Sequence, residues 1–205
     1  MRTVIPFDAT NPKTRLSPVL SSDERDTIAT LLLEDVLDAV RSAGLDPTVV
    51  ATDRVDLDVP VRLDSRPLTP LINEEIEAGT PLVVVMADLA LLEPPQVSRL
   101  VETQGDVVIA PGLGGGTNAL VIRDTAFQVD YHGTSFADHL SIARDRDLKP
   151  AVVDSLRLAV DVDEPGDLLE VLVHGSGRTA SWLAAAGFEI DIDGGRPRVT
   201  RERDS

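Results

Sequence analysis

"PLVVVMADLAL", residues 81–91, is the stretch on which the fold turns. Leu82 to Met86 are apolar without a break, and an acid, Asp88, follows almost at once. A strand with one face in water alternates apolar and polar residues. One that is apolar throughout is covered on both faces, as central strands of α/β sheets are. The neighbouring sequence supplies the rest of such a fold. Upstream, "TVIPF" (3–7), "TVVAT" (48–52) and "VPVRL" (59–63) read as strands, and "DERDTIATLLLEDVLDAVRSAG" (23–44) as a long helix. Ser21 and Glu24 have capping-box spacing, Gly44 is a stop, and Ile28, Leu31, Leu32, Val36, Ala39 and Val40 form one apolar stripe. Helices are expected at 70–79 and, opening on proline, at 94–105.

Downstream, "DVVIAPG" (106–112) and "TNALVIR" (117–123) read as two strands around the turn "GLGGG". No lysine follows these glycines, as a P-loop requires, and a strand follows where a dinucleotide fingerprint requires a helix. Then come a helix at 135–147, strands at "AVVD" (151–154) and "LRLAVDVD" (156–163), and helices at 164–175 and 178–187. A final hairpin is expected at 188–202, turning at Asp193-Gly194-Gly195. Alternating strands and helices predict an α/β fold with a mostly parallel sheet, here a single domain over residues 1–205. Ligands of such sheets bind at the carboxyl ends of the strands.

Composition narrows the function. The chain has 35 acidic residues against 19 basic, a net charge of −16, and only two lysines. Such a surface repels nucleic acid and anionic membrane, so neither is an expected partner. No apolar run is long enough to span a bilayer, and the N-terminus does not read as a signal peptide. The absence of cysteine excludes disulfides and thiol catalysis and fits a cytoplasmic protein. The acids are spread along the chain, as suits high salt, where self-repulsion is screened.

Three acids end apolar runs. Asp88 closes the central strand, and Asp161 and Asp163, two apart, would share one face of theirs. Carboxylates at strand ends suit Mg²⁺, which takes few protein oxygens and keeps water or phosphate in its other positions. The plainer alternatives are a turn after the strand for Asp88 and a helix N-cap for Asp163. Lys13 and Arg15 lie in the loop after the first strand, where cations suit a triphosphate, or simply the surface. "YHGTSF" (131–136) places Gly133 and two hydroxyls just before a helix, a setting for phosphate or an ordinary cap. His139 and His174 read as helix-surface residues, and Trp182 as core.

In order along most of the chain, five segments resemble the 2-phospho-L-lactate guanylyltransferase family: the opening "PFDATNPKTRLSPVLSSDERDTIATLLLEDVLDAV", "MADLALLEPPQV", "GGGTNAL", "YHGTSFADHL" and "AVDVDEPGDL". The resemblance implies a three-layer nucleotidyltransferase fold of the nucleotide-diphospho-sugar transferase (glycosyltransferase-A-like) type. It implies transfer of GMP from GTP to a small phosphorylated acid with release of pyrophosphate, in coenzyme F(420) biosynthesis, by a homodimer. The acceptor would be 2-phospho-L-lactate, or phosphoenolpyruvate as in bacterial relatives. Carried over by motif, Asp88, Asp161 and Asp163 would hold Mg²⁺, Lys13 and Arg15 would face the triphosphate, and Thr117, Gly133 and Ser135 would line the acceptor pocket. Ala87 and His132 depart from the pattern, the first standing where the family often has glycine and the second where bacterial relatives have it. Other readings are a sugar-phosphate nucleotidyltransferase, whose glycine-rich opening loop is missing, a glycosyltransferase using Asp161-Val162-Asp163, and a GTP-binding protein without turnover.

The charge carries its own prediction. The melting temperature is expected to fall as KCl is lowered from molar to millimolar; a melt unchanged over that range overturns the high-salt reading.

Overall fold

The structure is a computed structural model that describes residues 1–192 and 195–201. Strand β1 (Arg2–Phe7) leads through a loop and a single 3-10 turn (Thr14–Leu16) to helix α1 (Ser22–Ser42). The expected capping box is present: Ser21 Oγ accepts from Glu24 N–H, and the Glu24 carboxylate accepts from Ser21 N–H. Then follow β2 (Pro47–Ala51), β3 (Val61–Leu63), α2 (Leu68–Glu77), β4 (Leu82–Val85) and α3 (Pro94–Glu102). Next come β5 (Val107–Pro111), β6 (Thr117–Ile122), α4 (Ser135–Asp145), β7 (Pro150–Val152) and the short α5 (Leu156–Ala159). Helices α6 (Asp167–His174) and α7 (Arg178–Ala185) and strands β8 (Phe188–Asp191) and β9 (Arg198–Arg201) are the last elements among the described residues.

Seven strands form one sheet in the order β3-β2-β1-β4-β6-β5-β7. All neighbours are parallel except β6, which runs antiparallel to both β4 and β5. The apolar run that decides the fold becomes β4, near the middle. Val83 and Val85 pack with α1 and α3 on one face; Leu82 and Val84 pack with α2 and α4 on the other. Both faces are therefore dry, and the architecture has three layers. A third cluster joins α6, α7 and the β8–β9 hairpin to the far side of α1 through Ile28, Leu32, Leu168, Val171, Leu183 and Phe188. Trp182 packs at its margin.

One expectation is corrected, and one of the plainer alternatives falls away. "LRLAVDVD" is not a strand: 156–159 coil into α5, and Val160–Asp163 run extended outside the sheet. The alternation behind that reading is real, because Val160 and Val162 are fully buried while Asp161 and Asp163 are only half-buried. Against the end of β4 the segment makes one backbone bond, from Val162 N–H to the carbonyl of Asp88 at 3.1 Å, in place of a ladder. Second, Asp163 does not cap a helix. Helix α6 begins at Asp167, whose carboxylate accepts from the N–H groups of Asp163 and Glu164 at 2.9 and 2.7 Å. Of the expected terminal hairpin, both strands form; Asp193 and Gly194 of its turn lie outside the described residues.

Helix α7 depends on Asp35 of α1. This buried carboxylate accepts from Arg178 N–H at 2.8 Å and Thr179 N–H at 2.9 Å, closing the first turn of a helix that has no cap of its own. A Cβ on Gly177 would sit 2.6 Å from Asp35 Oδ1. Asp35→Ala leaves one buried and one part-buried N–H group without a partner and is expected to cost about 2 kcal/mol. Thermal melting in molar KCl checks it, with Asp35→Asn losing less.

Candidate active site

The site lies at the carboxyl ends of β1 and β4. The loop after β1 turns through two left-handed residues, Asn11 (φ 52°) and Lys13 (φ 52°). Non-glycine residues are uncommon in that region. The turn brings Lys13 back over the sheet, its Nζ 2.7 Å from Asp88 Oδ2 and 3.1 Å from Asp163 Oδ1. Arg15 donates to Asp163 Oδ2 at 2.6 Å. Burial works against the Lys13 charge, but the Asp88 and Asp163 carboxylates outweigh it and hold the ammonium above its ordinary value. Of the residues singled out in the sequence, Lys13, Arg15, Asp88 and Asp163 thus form one network.

Asp161 sits beside it. Its carboxyl is raised above the usual range, first by burial and then by the charge of Asp88. It accepts a hydrogen bond from Asn118 Nδ2 at 3.3 Å. Asn118, on β6, also donates to the carbonyls of Leu158 and Ala159 at 3.0 and 3.2 Å. It ties the Asp161 segment to the sheet.

The glycine turn serves that tie. A Cβ on Gly112 would lie 2.7 Å from Asn118 Oδ1, so glycine is what lets the turn close over the amide. Gly115, at φ +83°, needs glycine for its backbone. Its carbonyl accepts from Phe136 N–H at the start of α4, and Leu113 N–H bonds the Ala159 carbonyl.

Two cavities of 240 Å³ each meet here. One is walled by Phe7, Pro12, Lys13, Arg15, Ala87 and Asp163; the other by Gly116, Thr117, Asn118, Gly133, Ser135 and Asp161. Met86 and Asp88 line both, so Asp88 stands on their shared wall. Thr117, Gly133 and Ser135 are thus brought together, as the sequence reading grouped them. His132 is exposed, and its ring, 2.5 Å from Asp130, is raised by that hydrogen bond. A larger cavity of 620 Å³ lies between α1, α7 and the 90–94 segment; its two arginines, Arg157 and Arg178, are already paired with carboxylates.

His139 corrects another expectation. It is not on the surface but fully buried under Thr117. Ser135, His139 and Ala143 are the buried residues of α4, at i, i+4 and i+8. That spacing is the signal that marks them as one inward face. Tyr131 was also missed as an individual residue. Its ring stands edge-on to His139, and its buried hydroxyl has no hydrogen-bond partner.

Among the described residues no three acidic or histidine side chains converge as a ready metal site. Asp163 is turned to Lys13 and Arg15. The donor chemistry around Asp88 nevertheless suits a divalent cation. Asp88 Oδ1 is buried without a hydrogen-bond partner, and burial, with the Asp88 charge added to it, raises the Asp161 carboxyl beside it.

The fold is that of the nucleotide-diphospho-sugar transferases. A protein from Desulfovibrio desulfuricans G20 described as such superposes with a TM-score of 0.71 at 15% identity, over 90% of this chain and 95% of that one. A cytidylyltransferase from Leptospira borgpetersenii superposes at 0.53 with 10% identity, over 90% and 93%. Within that class, residues 1–202 match the family model described as guanylyl transferase, CofC-like, and the chain belongs to that family. Proteins named 2-phospho-L-lactate guanylyltransferase are 57% identical in Haloferax volcanii (99% of this chain, all of the relative) and 54% in Halomicrobium mukohataei (98%, all of the relative).

The buried histidine gives this site an acid limit. Burial pushes His139 down to about 4, with the charges of Asp138 and Asp130 opposing it weakly. The unfolded chain takes up the proton first, near the ordinary value of about 6.5. The stability from the neutral ring is therefore complete above that pH and is lost as pH falls toward about 4. The loss is expected to reach roughly 3 kcal/mol. Urea melts at constant KCl check it, and the pH-dependent step is expected to shrink in His139→Asn.

Proposed function

We propose that this chain transfers GMP from GTP to 2-phospho-L-lactate, giving lactyl-2-diphospho-5′-guanosine and pyrophosphate, as part of coenzyme F(420) biosynthesis. The observation that carries the reading is the shared wall: one carboxylate, Asp88, faces two cavities of equal size with different linings. A two-substrate transfer needs such a junction. Full-length identity above 50% to relatives named for this reaction supports it.

The cavity with Lys13 and Arg15 takes the GTP phosphates. The cavity with Thr117, Gly133 and Ser135 takes the phosphorylated acid. An acceptor phosphate oxygen attacks the α-phosphorus, the bond from that phosphorus to the bridging oxygen breaks, and pyrophosphate leaves. A phosphate monoester is largely dianionic near neutral pH, its second pKa being about 6, so no general base is needed. The protein aligns the two groups and neutralises charge. Lys13 and Arg15 neutralise the departing pyrophosphate. Gly116 and Gly133, with no side chain, leave backbone open to the acceptor. Asp88 and Asp161 would hold Mg²⁺, with Asp163 keeping Lys13 in place beside them. Bound there, Mg²⁺ supplies the positive charge that draws two polyanions together. The homodimer implied by the resemblance belongs to the same proposal, and light scattering in molar KCl reads it.

The test is pyrophosphate release in molar KCl with Mg²⁺ and GTP, comparing 2-phospho-L-lactate, phosphoenolpyruvate and no acceptor. Release that depends on 2-phospho-L-lactate is expected. Release only with phosphoenolpyruvate corrects the acceptor, and no release with either overturns the reading. Asp88→Asn is expected to lower kcat by at least about 10²-fold in a protein that still folds in molar KCl, its melt lowered by loss of the charge pair with Lys13; near-normal kcat removes Asp88 from the chemistry.

A further inference from the structure

His139 is fully buried, and both of its ring nitrogens are engaged. The backbone N–H of Asp130 lies 3.0 Å from Nε2 and donates to it. A nitrogen that accepts carries no proton, so the ring proton sits on Nδ1. Nδ1 is 2.9 Å from Thr117 Oγ1, and Nδ1–H must be the donor there. The Ser135 hydroxyl donates to the same oxygen at 3.3 Å. Thr117 Oγ1 has two lone pairs, and two donors face them. What the hydroxyl has left is its own proton. Thr117 lines the 240 Å³ cavity that includes Gly133 and Asp161.

We propose that His139 is a positioning residue that fixes the direction of hydrogen bonding at Thr117, making its hydroxyl a dedicated donor to an anionic oxygen of the phosphorylated acid. The proposal rests on reading that cavity as the acceptor site. A threonine without this partner serves as donor or acceptor equally well. With Nδ1–H fixed beneath it, it favours carboxylate or phosphate oxygens over groups that bring their own proton. The ring's neighbours keep the arrangement in one state. Phe127 and Tyr131 stand edge-on to it at 5.9 and 5.1 Å between centroids, and a second ring proton would point at the Asp130 N–H. His139 therefore acts as a neutral donor and not as a cation or a base.

Two substitutions separate its two bonds. Asn places an amide near the Nδ1 position and keeps a donor for Thr117. Gln reaches the Nε2 position and keeps an acceptor for Asp130, but leaves Thr117 without its donor. Steady-state pyrophosphate release in molar KCl is measured for both, with Thr117→Val beside them and a thermal melt for each. His139→Gln is expected to raise the acceptor KM about tenfold while the GTP KM stays within about twofold. His139→Asn is expected to keep the acceptor KM within about threefold. If Asn and Gln behave alike, or the GTP KM rises as much as the acceptor KM, the proposal is overturned. If Thr117→Val leaves the acceptor KM unchanged, the assignment of the cavity has failed instead. If Thr117→Val raises it and His139→Gln does not, the cavity stands and only the proposal falls. Where neither histidine variant folds, ¹⁵N spectra of the unaltered protein decide. A neutral ring protonated at Nδ1, with a resonance that moves when 2-phospho-L-lactate is added, supports the proposal. A proton on Nε2 overturns it.

Discussion

Three parts of the chain meet at one ammonium group. Lys13 reaches Asp88, 75 positions on, and Asp163, 150 positions on. Each charge alone would be costly to withdraw from water; together they offset one another. The constraint acts outward. It holds the loop after β1 in its two left-handed residues, brings the segment before α6 against the end of β4, and leaves Asp88 Oδ1 free of any partner. The same contacts that order the loop leave an unsatisfied carboxylate oxygen on the wall between two cavities.

The second organising element is β6. By running antiparallel between β4 and β5, it places the start of one strand beside the carboxyl ends of its neighbours. Thr117 and Asn118 thereby arrive at the same edge of the sheet as Asp88. An all-parallel sheet would leave that edge to loops alone. Here a fully buried strand supplies two polar side chains to the site, one into the cavity with Gly133 and Ser135 and one to hold the Asp161 segment. Gly112 keeps that amide in place by having no side chain of its own.

Much of this is legible in the sequence because it follows from local patterns. The unbroken apolar run of β4, the capping box of Ser21 and Glu24 and the stop at Gly44 depend only on residues a few positions apart. The grouping of Thr117, Gly133 and Ser135 is what the family resemblance implies, not a local pattern. What could not be read locally was decided by partners far away. Residues 160–163 alternate as a strand would, but the nearest backbone offered them one bond, at Asp88, and no ladder. His139 is polar and sits in an exposed-looking helix; its burial follows from Thr117, 22 positions away, and from two aromatic rings. Asp163 lies near enough to a helix to suggest a cap, yet α6 starts only at Asp167, and the Asp163 carboxylate goes to Lys13 instead.

The wall at Asp88 also bears on how the enzyme would let go of what it makes. In the proposed reaction the guanosine half of the product begins in one cavity and the lactyl half in the other, joined across that carboxylate. Such a molecule touches the surfaces of both substrates at once, while pyrophosphate touches only the first. The diphosphate product then competes with GTP and with the phosphorylated acid alike, and pyrophosphate with GTP alone. An enzyme of this shape would be throttled by its own accumulating product, and flux through it would be set by whatever next removes that product.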